Sequence, residues 1–360
     1  MRSRFVQFVG PNQAVLAEEE VSPADLQAGE ALIRAENSII SSGTEGAGFT
    51  DLVREMPNFQ NLQLGFPRRT GYGHLGEVVA VGPGVENVKP GDRVLTFSKH
   101  QEYAIARVAP GPQSDDPRRR MQPFALHVPR DVPGKRAVAT RMAGVAMTGL
   151  RSSTVQAGDR VVVIGLGLVG NFAAQLFQLA GAHVLGLDVS AKRLEIARAC
   201  GIREVFDSSK GDPVEYVRKW TGATDTTGGA EIVVEAIGQS QLVMQAVEMT
   251  GRFGETILLG SPRARVTADV TPMLTRIHIL AIRMIGALEW TYPLPEDSER
   301  ARVTIERNYK EILGWIRDGR LIVDPLISHV VSPRDAQQAY DGLTNKKDEY
   351  TAVVFDWSEL

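Results

Sequence analysis

Residues 161–188 read VVVIGLGLVGNFAAQLFQLAGAHVLGLD: a short apolar run, a G-x-G-x-x-G turn, a helical pattern, a second apolar run and then an acid. The chemistry this order can do is to hold a pyrophosphate, because a strand that turns sharply into a helix points the helix's first backbone N–H groups at an anion. Gly165 makes the tight turn, Gly167 lets the backbone approach the phosphates, and Gly170 lets the helix pack closely on its strand. Asp188, at the end of the second run, is placed to accept hydrogen bonds from both hydroxyls of a ribose and to repel a 2′-phosphate. Leu168, Val169, Arg193, Ala236, Ile237 and Gly260 complete the expected dinucleotide site. The expected cofactor is NAD(H), although Lys192 and Arg193 lie close enough to accommodate a phosphate in that place.

Those residues need a parallel sheet to position them. From Gly158 onward, β-like runs alternate with helical patterns: 161–164 then 168–180, 183–187 then 191–200, and 205–206 then 214–220. Three further runs follow at 232–236, 256–259 and 281–288, with the pattern SQLVMQAVEMT from Ser240 between the first two. Runs rich in Val, Ile and Leu without strict alternation suit strands buried on both faces, so six parallel strands covered by helices are expected. Gly201 and Gly251 sit past helix ends, and Asp212 followed by Pro213 reads as a helix start.

The first 136 residues differ in kind. Short β-like runs at 4–9, 31–40, 77–81, 93–97 and 102–108 are separated by Gly and Pro turns, as in an irregular β domain or partial barrel. Residues 49–69, with Met56, Phe59, Leu62, Leu64 and Phe66, have poor periodicity and are expected to wall a substrate pocket. After the sheet, 298–318 reads as an amphipathic helix with Ile305, Tyr309, Ile312, Trp315 and Ile316 on its core face. Strands at 321–331 and 352–355 flank a helix at 334–343.

Composition narrows the class. At 360 residues, two domains are expected. A formal charge of −3 gives no electrostatic ground for nucleic acid or an anionic membrane. The basic run at 118–120, preceded by Asp115 and Asp116, reads as a solvated loop. A single cysteine, Cys200, excludes an intrachain disulfide and a Cys-rich zinc site. No run approaches the apolar length of a membrane span, and the expected location is the cytoplasm.

The stretch GYGHLGEVVAVGPGVENVKPGDRV at 71–94 resembles the medium-chain dehydrogenase/reductase superfamily, whose pattern there is G-H-E-x-x-G-x-V, then V-G, then a turn ending in G-D-R-V. Ser-Gly-Thr-Glu at 42–45 looks like its Cys-Gly-Thr-Asp, HQEY at 100–103 looks like its H-A-E-Y, and ISHVVSPRDAQQAYDGL from Ile327 looks like its C-terminal end. The resemblance implies an α/β protein in which a GroES-like β-rich catalytic domain (1–136 and 290–360) accompanies a Rossmann, doubly wound parallel-sheet domain (137–289), with the active site in the cleft. It also implies a homodimer or homotetramer, since 284–288 resembles the edge strand through which the superfamily dimerises.

The departures from the pattern bear on mechanism. In zinc-dependent members the Cys of Cys-Gly-Thr-Asp and the His of G-H-E hold a catalytic metal, whereas the matching positions here are Ser42, Tyr72 and Gly73. A hydroxyl and a neutral phenol are poor replacements for thiolate or imidazole, so no metal site is expected. Something else must then stabilise the charge that develops on a substrate oxygen. Tyr72 stands where its side chain would face that oxygen, and Thr44 matches the proton-relaying hydroxyl of alcohol dehydrogenases. His74 lies on the same face if the stretch is extended, with Glu45 to orient it. Ser42 completes the catalytic candidates. His100, His127, His183, His278 and His329 show no ligand spacing and are read as structural, while Arg68 and Arg69 read as solvated charge.

These readings converge on a zinc-independent, NAD-dependent oxidoreductase that interconverts an alcohol and a carbonyl in a small-molecule substrate. The segment at 42–45 and the Gly-Tyr pair point to the neighbourhood of bacteriochlorophyllide dehydrogenases and threonine-dehydrogenase-like proteins. The alternative is NAD(P)H-dependent reduction of an activated C=C bond, as in quinone and enoyl reductases. A nucleotide-binding protein without turnover stands as the reading from a different class.

Overall fold

A computed structural model describes residues 1–55, 65–110, 123–263, 265–294 and 302–360. The chain divides into two compact units, one comprising Met1–Arg141, Tyr292–Asp318 and Ile327–Leu360, the other Met142–Thr291 and Gly319–Leu326.

In the second unit, six strands pair in the order Glu204–Asp207, His183–Asp188, Arg160–Ile164, Ala230–Glu235, Thr250–Leu258 and Arg283–Gly286. All five pairings are parallel. Val161, Val162 and Val163 are fully buried, which explains why this strand reads as a continuous apolar run. The strand order reverses at Arg160–Ile164, whose neighbours are His183–Asp188 on one side and Ala230–Glu235 on the other. A crevice at such a reversal is where open α/β sheets bind ligands, and the glycine turn leaves from this strand. The helices start where caps direct them: Asp212 accepts from the Val214 N–H at 2.8 Å and Ser190 from the Arg193 N–H at 3.3 Å. Residues 319–326 join this unit because Gln175 clasps Ile322, accepting its N–H at 2.7 Å and donating to its carbonyl at 3.0 Å.

Two helices here lie outside the helical patterns expected from the sequence, Thr140–Ser152, which joins this unit from Met142, and Thr271–Leu280. Thr271–Leu280 is apolar on too many sides to show a helical period, with Leu274 and Ile279 exposed and Leu280 buried. The strand expected over 281–288 is accordingly shorter, Arg283–Gly286.

The first unit is β-rich. Among the described residues its larger sheet has seven strands, and its smaller sheet has three, built on the hairpin of Arg2–Gly10 with Gln13–Glu20. That second hairpin strand, VLAEEE-rich and half exposed, lacks the apolar alternation that marks the others. The chain's ends meet in the larger sheet, where Ala352–Asp356 pairs antiparallel with Glu30–Ile39 and parallel with Ile327–Val331. Phe8, Phe49, Tyr340, Phe355 and Trp357 form a core between sheet and helix, and Phe66 packs against it. Met56, Phe59, Leu62 and Leu64 lie outside the described residues, as does Ser298, where the following helix is expected to begin. The helix starts later than expected, at Ile305, because Thr304 caps it there; it runs to Arg317 and buries Tyr309, Ile312 and Ile316. Residues 321–326 are not strand, because Asp324–Leu326 forms a 3-10 turn ahead of Ile327–Val331.

Candidate active site

The glycine turn has the shape its sequence demands. Gly165 has φ +90°, and a Cβ there would lie 2.3 Å from Ile237. At Gly170 an added Cβ would lie 1.8 Å from the Gly165 carbonyl oxygen, so the helix Leu168–Leu179 reaches its strand only because this residue has no side chain. Gly167 is different: it caps the helix, and nothing lies within 4 Å of where its Cβ would be. Backbone N–H groups at a helix start with open space before them are what a pyrophosphate requires, and the residues present fit a dinucleotide.

Asp188 ends the neighbouring strand, nearly buried, with Oδ2 accepting the Leu166 N–H at 2.8 Å and Oδ1 accepting the Ser190 N–H at 2.9 Å. The carboxylate is thus tied to the glycine turn itself, and Arg193 sits 3.8 Å from it. Leu168 is buried and Val169 half-buried in the first helical turn. Ala236 and Ile237 follow the strand on the other side of the reversal, and Gly260 follows the next, its missing Cβ leaving room for the Gly238 backbone at 2.2 Å. Glu235, which sequence reasoning passed over, shapes this rim. Fully buried, it accepts from the Ile237 and Gly238 N–H groups at 2.9 Å. Burial pushes its carboxyl above the usual range, and the amides of Gly238, Ile237 and Gln239 offset part of that. Its only signal was an acid ending an apolar run just before a glycine.

In the first unit, Tyr72 lies ahead of the strand His74–Val81 and reaches the start of the short helix Ser42–Phe49. Its hydroxyl donates to Ser41 Oγ, and a hydrogen bond also links it to Thr44. Ser41 was not among the candidates; it becomes the phenol's partner because it is the N-cap residue of that helix. Ser42 is half-buried and Thr44 exposed. Burial raises the Tyr72 phenol above its ordinary value, and the Arg141 charge together with Ser41 and Thr44 only partly counters this.

The expected partnership of Glu45 with His74 does not form. Glu45 is buried, with Oε1 accepting the Ser41 N–H at 2.8 Å and Oε2 accepting Thr70 at 2.6 Å and Tyr340 at 2.6 Å. Its histidine is His100, whose Nε2 lies 3.0 Å from Oε2 and whose Nδ1 lies 2.8 Å from Ser38 Oγ. His74, fully buried, instead places Nε2 3.0 Å from the Gln101 carbonyl oxygen. Burial drives its imidazole down to about 4, so it is neutral at physiological pH. The reason for the swap is strand geometry. His100 comes from the segment after the strand Arg93–Thr96, and a Cβ on Gly71 would lie 2.6 Å from the His100 backbone nitrogen. Arg68 and Arg69, read as solvated, are paired with Asp51 and Glu19.

The donor set at the positions where zinc-dependent relatives hold metal is a half-buried serine, a neutral phenol and a glycine, which does not fit Zn²⁺. Among the described residues, no group of three or more His, Cys, Asp or Glu side chains is gathered to hold a metal ion.

Residues 169–296 match the family model described as zinc-binding dehydrogenase. The chain is 26% identical over 370 residues to an uncharacterized zinc-type alcohol dehydrogenase-like protein, YdjJ, of Escherichia coli, covering 97% of each chain. It is 27% identical to the D-guloside 3-dehydrogenase of the same organism over 74% of this chain and 72% of that one. In fold it matches a putative zinc-binding dehydrogenase of Sinorhizobium meliloti bound to NADP, with a TM-score of 0.76 at 19% identity and 99% of each chain covered. The chain belongs to the medium-chain dehydrogenase/reductase superfamily. As a member it is an oxidoreductase of the dehydrogenase type. No helix among the described residues is long and apolar enough to cross a membrane.

Proposed function

We propose that this chain is an NAD-dependent dehydrogenase that interconverts an alcohol and a carbonyl without zinc. The observation that carries the reading is the Tyr72 phenol, neutral and held by Ser41 and Thr44, at a position where relatives place a metal ligand. The nicotinamide, when bound, supplies the hydride carrier. The protein must stabilise the charge that develops on the substrate oxygen, and an oriented hydroxyl can do so. Tyr72 turns its one hydrogen from Ser41 to that oxygen, while the Ser41 and Thr44 hydroxyls hold the phenol oxygen and open a route for the proton to solvent through the exposed Thr44. His74 is left out of this route because its buried imidazole is neutral and turned to a backbone carbonyl.

The preference for NAD rests on Asp188, whose carboxylate the Leu166 and Ser190 amides hold at the end of its strand, where an acid binds the ribose hydroxyls and repels a 2′-phosphate. The relative that acts on a D-guloside supports a polyhydroxylated substrate, a sugar derivative or polyol, over a simple alkanol. The edge strand Arg283–Gly286, with Met284, Leu288 and Trp290 exposed around it, supports a homodimer.

The test is elemental analysis together with one substitution. The purified protein should carry no stoichiometric zinc and should keep its turnover in strong chelator, assayed on a panel of glycosides, polyols, secondary alcohols and enones. Tyr72→Phe should lower kcat by roughly 100-fold to 1000-fold, the usual cost of one oriented donor, with NADH affinity unaltered. One zinc per chain would refute the metal-free reading, near-full kcat in Tyr72→Phe would refute the role of the phenol, and turnover of enones alone would favour C=C reduction.

A further inference from the structure

Arg141 is the largest fully buried side chain among the described residues, 1% exposed. It stands in the first turn of the helix Thr140–Ser152, and its guanidinium lies inside a cage of rings, 4.5 Å from the Tyr72 centroid, 5.0 Å from Phe97 and 5.9 Å from Tyr309. Its Nε donates to the Tyr72 carbonyl at 3.1 Å and one terminal nitrogen donates to the Tyr309 hydroxyl at 2.5 Å. Stacking a desolvated guanidinium on an aromatic face is favourable, so the cation and the Tyr72 ring fix each other.

Gly73 makes this possible. A Cβ at that position would lie 2.9 Å from Arg141 Cγ and 2.9 Å from Ile39. The pair Tyr72-Gly73, which replaces the metal-binding pair of the superfamily pattern, thus supplies both the carbonyl that receives Arg141 and the gap through which its stem passes. The three residues form one coupled set.

We propose that Arg141 is a positioning residue for Tyr72, holding the phenol from behind and lending it a fixed positive charge that strengthens it as a hydrogen-bond donor. This rests on the reading of Tyr72 as the donor to the substrate oxygen. The direction of the effect on the phenol agrees, since the Arg141 charge draws its acidity back toward the ordinary value against burial. Arg141 itself does not touch substrate in this account; its buried guanidinium is committed to the cage.

A double-mutant cycle tests the coupling, with turnover measured on the panel member that the wild type converts fastest. Arg141→Met keeps the stem and removes the charge, and should lower kcat by roughly 10-fold to 100-fold, the range for residues in direct contact. Arg141→Lys should recover most of that loss. In the Tyr72→Phe background Arg141→Met should cost less than threefold. Equal losses in both backgrounds, or no recovery with lysine, would overturn the proposal while leaving the role of Tyr72 intact. Full kcat in Tyr72→Phe alone would instead remove the reading beneath it.

A measurement without substrate guards against a variant that does not fold. With tyrosines labelled at Cζ and Tyr72 assigned by Tyr72→Phe, the phenol's ionisation midpoint should rise in Arg141→Met and stay near the wild-type value in Arg141→Lys. The groups facing the phenol are Arg141, Ser41, Thr44 and Glu45, of which only Arg141 changes. Should neither variant fold, nuclear Overhauser contacts between the wild-type Arg141 Nε–H and the Tyr72 ring are required, and their absence overturns the proposal.

Discussion

Glu45 is a buried carboxylate with four partners: the Ser41 N–H, Thr70, Tyr340 and His100. Burial alone would raise its pKa, but His100, Thr70 and Tyr340 outweigh burial and hold it below the usual range. A folded-state pKa below the unfolded value contributes stability that is fully present above about 4.3 and is lost as pH falls through the folded value. Unfolding midpoints in urea should therefore decline on acidification more steeply in the wild type than in Glu45→Gln, and parallel declines would contradict this account. Glu45→Ala should cost roughly 3–5 kcal/mol at neutral pH, because it leaves a buried cluster without its shared acceptor. The position of Glu45 beside the catalytic candidates follows from the helix it starts: the Ser41 N–H that it accepts belongs to the residue whose hydroxyl meets Tyr72.

Among the elements, the turn from strand Arg160–Ile164 into helix Leu168–Leu179 makes two of its glycines separable by experiment. Gly167 faces open space, so Gly167→Ala should leave stability within about 1 kcal/mol of wild type. The added methyl then stands where phosphate would lie, and NADH affinity should fall roughly 10-fold or more, as expected when one hydrogen bond to a charged group is lost. Gly170→Ala drives a methyl into the Gly165 carbonyl and should lower both, with a stability loss of roughly 1–3 kcal/mol from overpacking. Fluorescence titration with NADH and thermal unfolding of the two variants decide this. Unchanged affinity in Gly167→Ala would remove the turn from the cofactor site. At the strand's neighbour, Asp188→Ala should narrow the difference between NADH and NADPH affinity, and tighter NADPH than NADH binding in the wild type would refute the assignment of NAD.

At the scale of the whole molecule, the parallel sheet ends, among the described residues, at the edge strand Arg283–Gly286. An edge strand flanked by exposed apolar groups pairs with another chain unless something blunts it. Met284 is 40% exposed, Leu288 55% and Trp290 51%, and Ile279 on the preceding helix is 60% exposed. A second copy of the chain across this edge should give a dimer whose mass by light scattering falls by half in Met284→Arg, with NADH affinity retained. A wild-type monomer, or a dimer indifferent to that substitution, would exclude the edge as the contact.

The parallel sheet and the glycine turn were legible in the sequence because local rules govern them. Buried strands need continuous apolar runs, and only glycine satisfies the positive φ at Gly165 and the 1.8 Å approach at Gly170. The expectation of a metal-free site also came from side-chain type, since Ser42, Tyr72 and Gly73 stand where the superfamily pattern has metal ligands and ligand competence belongs to the side chain itself. What tertiary structure alone decided is which groups meet. His100 rather than His74 reaches Glu45, Ser41 rather than Ser42 meets the phenol, and Arg141, 69 positions along the chain from Tyr72, stacks on its ring. Each pairing depends on strand register, a helix start or a packing gap, and no periodicity in the chain encodes a contact between segments that only the folded β sheet brings together.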